Sequence, residues 1–251
     1  MFNKPTIIMR KNWCVLLLTI GFLSCAVEAK LIFKEFYLSK TENAIIEINY
    51  PKAEGSDPVA QTINTTIESH IAKQIDMSED TLVNPSLEIV VKQFDDEFIA
   101  FKKDFPATAQ KWEALIDSEV TYESNDLISI AINSYLDTGG AHGNSYIEFL
   151  NFDPTTGHVL KTSDLIRELE GFTALVETYF LKEEATKSEE EQIEDVFFGK
   201  GFQLPESIGF SDDGVIILYN TYEIASYAQG ITEFTIPYED ANPYLKIRPT
   251  Y

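Results

Sequence analysis

Cysteine is nearly absent from this chain of 251 residues, which contains only Cys14 and Cys25. Both precede every segment whose pattern predicts a folded domain. A domain that begins near residue 30 therefore has no internal disulfide, and its stability must come from a hydrophobic core. About 220 residues remain for that core, which is enough for one large domain or two small ones.

Histidine is also scarce, and His70, His142 and His158 form no HxH or HExxH spacing. A zinc site needs three or four converging ligands, and the sequence offers no such cluster. It also has no GxSxG motif and no Cys–His pair after residue 30, so ordinary nucleophilic hydrolysis lacks its parts. We therefore expect no metal, no cofactor and no catalytic residues.

Basic residues are few: 19 Lys and Arg stand against 41 Asp and Glu, for a net charge of -22. Loss of residues 1–29 would remove three bases and one acid, which leaves 16 basic and 40 acidic residues and a net charge of -24. Such a surface repels nucleic acid and anionic lipid. It suits a cationic partner, and solubility alone is the alternative explanation.

Long hydrophobic runs are missing except for Trp13–Leu23, which follows Arg10 and Lys11 and precedes the small residues between Ser24 and Ala29. A bilayer core of ~30 Å needs about 20 apolar residues, so this run is too short to span it. A basic segment, a short apolar run and small residues are the three parts of a secretory signal. We expect export.

Two cleavage sites are compatible with the signal. Val27-Glu28-Ala29 would give a signal peptide of residues 1–29 and leave Lys30 first. Phe22-Leu23-Ser24-Cys25 resembles a lipobox, which would give a signal of residues 1–24 and a lipidated Cys25. The expected location is therefore the periplasm, the outer membrane through a lipid anchor at Cys25, or the medium.

The rest of the chain mixes predicted strands and helices. The patterns predict strands over 31–38, 44–50, 87–91, 119–123, 127–135, 146–152, 214–220 and 231–236. They predict helices over 59–75, 162–169 and 172–181, and two helical pieces within 95–118 broken at Pro106. The irregular mixture predicts an α+β fold with mainly antiparallel sheets and packed helices, in two closely associated modules.

The densest motif is a glycine-rich loop, Gly139-Gly140-Ala141-His142-Gly143. A phosphate loop would run from strand to helix, but here both flanks are predicted strands. A hairpin or bulge is favoured, and a loop for a ligand or partner is the alternative. His142 is a candidate general base, the centre of a third functional hypothesis of an uncharacterised hydrolase. Its alternative role is a backbone hydrogen bond.

A second motif is the tyrosine-rich segment from Tyr219 to Ala228, which includes Tyr222, Glu223 and Tyr227. Tyrosine is favoured at recognition surfaces because it provides a large rigid ring with a polar tip. Contact with a sugar or a peptide is one interpretation, and packing with satisfied hydroxyls is the other.

Several motifs together resemble the RsiV-type domain, a domain-of-unknown-function family that forms the outer part of lysozyme-sensing anti-sigma factors and occurs in PdaC-type peptidoglycan deacetylases. They are Ser134-Tyr135, 139–143, 151–153 with Thr156-Gly157, Asp164-Leu165, 202–204, Asp213-Gly214, 222–225, 227–230 and 236–238. More weakly, Ile48-Asn49-Tyr50-Pro51 with Ile63-Asn64 resembles the companion PdaC-like module.

The resemblance implies an α+β ectodomain with a PdaC-like module at 30–124 and an RsiV-like module at 125–251. It implies an envelope binding protein whose ligand is a cationic lysozyme-like protein or, alternatively, peptidoglycan. We see no sigma-binding segment and no deacetylase domain, so neither signalling nor deacetylation carries over. The candidate ligand-binding residues are Gly139, Gly140, His142, Gly143, Tyr222, Glu223 and Tyr227.

Overall fold

The computed structural model describes residues 31–78, 86–187 and 196–247. The predicted signal and Cys25 therefore lie outside the described residues, as does the acidic segment 188–195. The described chain is α+β, as predicted, with two sheets dominated by antiparallel pairing. No helix in these three ranges is long and apolar enough to cross a membrane.

The larger sheet has five strands in the order β1-β2-β3-β4-β5. They are β1 Phe33–Lys40, β2 Ile45–Ala53, β3 Glu113–Glu123, β4 Ile128–Asp137 and β5 Asn144–Phe152. Neighbours are antiparallel except for β2 and β3, which run parallel. That pair needs a long crossover, and two helices provide it.

The crossover helices are α1, Pro58–Ile75, and α2, Leu87–Asp104. Asp57 caps α1 by accepting from the backbone N–H groups of Val59 and Ala60, and Ser86 caps α2. Both helices bury an apolar stripe against one face of the sheet, where the largest core of the molecule lies. The opposite face of the sheet is left without helices.

The second sheet has three antiparallel strands, β6 Ile208–Phe210, β7 Gly214–Tyr219 and β8 Thr232–Pro237. Its core is shared with α4, Leu169–Glu184, and with the short helices α3, Thr162–Leu165, and α5, Tyr238–Ala241. Every residue of β7 is buried because both faces of this small sheet are covered.

The small sheet packs on the helix-free face of the large one. Phe149 of β5 contacts Ile216 and Leu218 of β7 in a third, smaller apolar cluster. Polar bonds fix the contact: Asn220 accepts from the backbone N–H of Ile147 at 2.8 Å and donates to the carbonyl of the same residue at 2.9 Å. Buried Asn151 donates to the carbonyl of Ile208.

Two predicted elements were of the wrong kind, and the helix predicted over 162–169 was too long, because α3 ends at Leu165. The predicted strand at 87–91 is the first part of α2, because its apolar residues continue at helical spacing to Phe94 and Phe98 beyond the short Ile-Val-Val run. The second helical piece after Pro106 does not exist: the chain leaves α2 at Asp104 and enters β3 at Glu113. There, alternation of buried and more exposed residues marks a strand.

Candidate functional site

The glycine-rich loop is the turn of the β4–β5 hairpin, so the strands predicted on both flanks are confirmed. Gly139 adopts a φ of +82°, which favours glycine, and its N–H donates to the side chain of Asp137 at 2.8 Å. Gly143 is buried beside the ring of Tyr135. Gly140 is exposed, and a Cβ there would have ordinary space. The loop leads into a strand, so it has no helix N-terminus to bind phosphate.

The two motifs singled out in the sequence meet in space. The rings of His142 and Tyr227 stack with centroids 3.9 Å apart and planes 21° apart. The Tyr227 hydroxyl donates to the carbonyl of Gly143 at 3.2 Å, and His142 Nδ1 lies 2.9 Å from the same oxygen. Tyr222 adds a third ring, 5.7 Å from that of Tyr227. We name His142, Tyr222 and Tyr227 the aromatic patch.

Tyr222 has a strained backbone, with a φ of 68° at a residue that is not glycine. A side chain in this region costs of order 1 kcal/mol, and such residues persist where the surrounding structure over-determines them. The residue is 55% exposed, so burial does not compensate the strain. Strained residues cluster at functional sites, so Tyr222 is a candidate contact residue.

Glu223 is bound by backbone N–H groups. Its carboxylate accepts from the backbone N–H of Asn220 at 2.8 Å and from that of Glu206 at 2.7 Å. Burial raises the pKa of Glu223, although these two N–H groups counteract the increase. Glu223 thus holds the segment in place, while Tyr222 and Tyr227 present their rings.

A hydrolytic centre at His142 finds no support in the contacts of the ring. Among residues 31–78, 86–187 and 196–247, no carboxylate lies within 4.0 Å of His142. His158 lies beyond the far end of β5, a strand of nine residues that spans about 30 Å. The same three ranges contain no cluster of His, Cys, Asp and Glu that could hold a metal ion.

The helix-free face of the large sheet is acidic. Because side chains alternate between faces, the registers place a set of carboxylates and no lysine or arginine on this side of the strands. One of them, Asp137, is buried opposite Glu113. The others are Glu35, Glu47, Glu113, Asp117 and Glu119, and we name these five residues the acidic face. The three lysines of the strands, Lys34, Lys40 and Lys52, lie on the helix side.

Tyr135 joins the aromatic patch to the acidic face. It lies on β4 beside Asn133, lines a groove with Tyr37 and Asp117, and contacts Gly143 at its other side. Burial and the carboxylates of Asp137 and Glu113 raise the pKa of Tyr135. Asn49 donates to Asp117 at 3.1 Å, which orders the floor of the groove. Rings and carboxylates therefore form one continuous surface.

Part of this surface was missed in the sequence. Glu113, Asp117 and Glu119 alternate with buried residues along β3, which is a recognisable pattern for acids on one face of a strand. The segment was instead predicted as helical up to Ser118, and that prediction concealed the alternation. Tyr135 was noted only as part of a motif.

The fold thus consists of two packed sheets with helices on their outer sides. Comparison with known protein families shows which families two parts of the chain resemble. Residues 38–145 match the family described as Deacetylase PdaC, and residues 163–239 match DUF3298, a protein family of unknown function. The first part of the chain is therefore similar to PdaC-type domains, and a later part is similar to DUF3298-type domains. No curated protein matches the chain.

Solved structures support the same fold. A DUF3298 family member from Bacteroides fragilis has a TM-score of 0.61 and 22% identity, and the match covers 87% of this chain and 95% of that one. A DUF3298 family protein from Pseudomonas aeruginosa has a TM-score of 0.56 and 20% identity, with 86% and 93% covered. Because the matches cover nearly the whole of both relatives, the two-sheet architecture is common to all three chains.

Proposed function

We propose that this protein is exported to the cell envelope and binds a cationic protein there without catalysing a reaction. The observation that carries the proposal is the continuity of the aromatic patch with a sheet face that bears carboxylates and no basic residue. Rings provide rigid contact area at low entropic cost, and carboxylates steer a cationic partner and fix its orientation. The resemblance to ectodomains of lysozyme-sensing anti-sigma factors makes a lysozyme-like muramidase the leading partner.

The direct test is a calorimetric titration of the exported form with hen lysozyme as the cationic probe. We expect a dissociation constant of micromolar or below, and several-fold weaker binding when NaCl is raised from about 50 to about 300 mM. Absence of saturable binding at low salt would overturn the proposal.

Matched charge reversals separate a specific surface from general attraction. Asp117→Lys with Glu119→Lys changes two exposed acids of the acidic face, and we expect binding at least about tenfold weaker. Glu170→Lys with Glu177→Lys makes the same change of net charge on exposed positions of α4. We expect less than about a threefold effect from this control. Equal losses from both pairs would assign the attraction to net charge alone.

A second candidate function is binding of peptidoglycan strands by the aromatic patch. The stacked rings of His142 and Tyr227 beside the strained Tyr222 favour it, because exposed rings provide apolar faces against which a sugar can pack. Sedimentation with purified peptidoglycan tests it. Loss of co-sedimentation in Tyr222→Ala with Tyr227→Ala, together with retention in the Asp117→Lys, Glu119→Lys protein, would favour the glycan over the cationic protein.

Export has its own test, since it depends on the first 30 residues. Mass spectrometry of the N-terminus of protein isolated from the producing cells distinguishes the two processed forms. An N-terminal Lys30 indicates cleavage after Ala29, and a lipid-modified Cys25 indicates a tethered lipoprotein. An intact N-terminus in the cytoplasmic fraction would contradict export.

A further inference from the structure

A pocket of about 540 Å³ lies on the helix side of the large sheet, between the edge strand β1 and the start of α2. This volume falls within the range of about 300–1,000 Å³ that is typical of sites for small organic ligands. Its walls are mainly apolar and consist of Phe36, Leu38, Tyr50, Leu87 and Val91. Phe36 and Leu38 remain half-buried there, because the helices do not extend over the edge of the sheet.

The polar groups of the inner wall are already paired with one another. Glu68 accepts from the hydroxyl of Tyr50 at 2.6 Å and from Lys52 at 3.0 Å. The Lys52 ammonium also lies 5.3 Å from the ring centre of Phe36. Burial and the bond to Glu68 raise the pKa of Tyr50, so the hydroxyl stays protonated and keeps donating to Glu68. This wall presents a carboxylate that is already neutralised.

The rim has two further ammonium groups. Lys40 lies 2.8 Å from the buried carboxylate of Asp95, and its own side chain is 34% exposed. Lys92 pairs with Asp96 on the surface of α2 and is 72% exposed. An ammonium group has three donors, so each of these lysines can bind an anion while it keeps its present contact. The other acid of the rim, Glu88, is exposed in the first turn of α2.

The rim differs from the helix-free side of the sheet because it bears lysines, each of them paired with an acid. Two smaller pockets of about 430 and 210 Å³ lie on the helix-free side, and no basic residue lines either of them. The pocket beside β1 is lined by three lysines in a chain that has more than twice as many acids as bases. An anion that the acidic face repels thus meets ammonium groups here.

From this combination we propose that the pocket binds a single-chain amphiphile with an anionic head, namely a free fatty acid. The chain packs against Phe36, Leu38 and Val91, and the carboxylate lies between Lys40 and Lys92. Burial of apolar methylenes is favourable and grows with chain length, so a long chain supplies the main driving force. The site lies on the other side of the sheet from the acidic face and is independent of the function proposed above.

The test uses cis-parinaric acid, a fluorescent fatty acid, titrated into the full chain below its critical micelle concentration. We expect a saturable rise in fluorescence with one site per chain. Dodecanoate should displace the probe at least fivefold better than dodecylamine, which has the same chain length and the opposite charge. Equal displacement would overturn the assignment of an anionic head, and binding to anionic vesicles without binding to the free acid would overturn the choice of ligand.

Variants locate the site. Leu38→Trp fills the pocket and should weaken probe binding at least tenfold. Lys92→Glu, at an exposed rim position that leaves the core intact, should weaken it at least threefold. Lys103→Glu makes the same charge change on an exposed residue near the other end of α2 and should have no effect. Unchanged binding in both Leu38→Trp and Lys92→Glu, or an equal loss in Lys103→Glu, would contradict the proposal.

Discussion

The ring of Tyr135 lies against Gly143 so closely that a Cβ on Gly143 would be 2.3 Å from both Cζ and Oη of the tyrosine. Glycine is favoured here by this close approach and not by its backbone conformation, since Gly143 has no positive φ. The contact connects the hairpin loop to the groove of the acidic face. It also makes the loop sensitive to a single methyl group.

We predict that Gly143→Ala destabilises the domain by about 1–3 kcal/mol, because Tyr135 or the loop must move. The same substitution at Gly140 is the control, because its Cβ would lie 3.9 Å from the nearest atom. Urea unfolding followed by tryptophan fluorescence measures both. Similar free energies of unfolding for the two variants would show that Tyr135 moves aside at little cost.

Tyr222 allows stability and binding to be separated. Because its φ is 68°, glycine fits the backbone better than tyrosine does. We predict that Tyr222→Gly leaves the free energy of unfolding unchanged or raises it by up to about 1 kcal/mol. The same variant should weaken lysozyme binding at least about fivefold, since it removes one ring of the aromatic patch.

The control is Tyr244→Ala, which removes a partly buried tyrosine that packs against the core of the small sheet. It should lower stability by about 2 kcal/mol or more and leave lysozyme affinity unchanged in the folded protein. A Tyr222→Gly protein that is clearly less stable than the wild type would contradict the interpretation that the strain serves binding.

Elements that depend on local patterns were predicted from the sequence, whereas contacts between distant segments were not. The hairpin β4–β5 and helix α1 depend on local patterns, and both were predicted close to their observed bounds. The stacking of His142 on Tyr227 joins residues 85 positions apart. It depends on how the small sheet packs on the large one, which no local pattern encodes. Both motifs were recognised separately, but their contact was not.

The alternation of acids and buried residues along β3 was missed for a different reason. Strand β3 contains buried Ala114 and Ile116 between exposed acids, yet this alternation follows directly on α2 and the turn at Pro106. The helical periodicity of α2 was extended across the proline, because helical and strand patterns overlap over short windows. Without β3 in place, the acidic face could not be recognised as a surface.

Asn220 couples the two sheets, since its side-chain amide forms hydrogen bonds with both the backbone N–H and the carbonyl of Ile147. We predict that Asn220→Ala costs about 2–4 kcal/mol, because it leaves the partly buried N–H and carbonyl of Ile147 without these partners. Asn220→Asp keeps an acceptor, but the ionised carboxylate has no donor. At acidic pH the protonated carboxyl has an O–H group that can donate, so the substitution should cost less there. Hydrogen exchange of β5 amides should accelerate in Asn220→Ala. Unchanged exchange at Ile147 would contradict the coupling.

Asp95 gives a prediction for the dependence of stability on pH. Burial alone would raise its pKa, but bonds from Lys40, Asn43 and the N–H of Ala44 hold that pKa below the ordinary value. A lowered pKa in the folded state means that the stabilisation is complete above the unfolded pKa and is lost as pH falls through the folded one. Asp95→Asn should therefore cost about 2–3 kcal/mol near pH 7. The difference from wild type should stay constant down to about pH 5 and narrow below about pH 4.

Asp96→Asn is the matched control, because the adjacent carboxylate pairs with Lys92 on the exposed side of α2. A surface pair of this kind contributes about 0–1 kcal/mol, so the variant should unfold almost like the wild type. Urea titrations at about pH 7, 5 and 3 measure all three proteins, within the range where a lowered aspartate pKa acts. If the Asp95→Asn protein remained as far below the wild type at the lowest pH as at neutrality, the lost stability would come from packing around Asn rather than from the charge of Asp95.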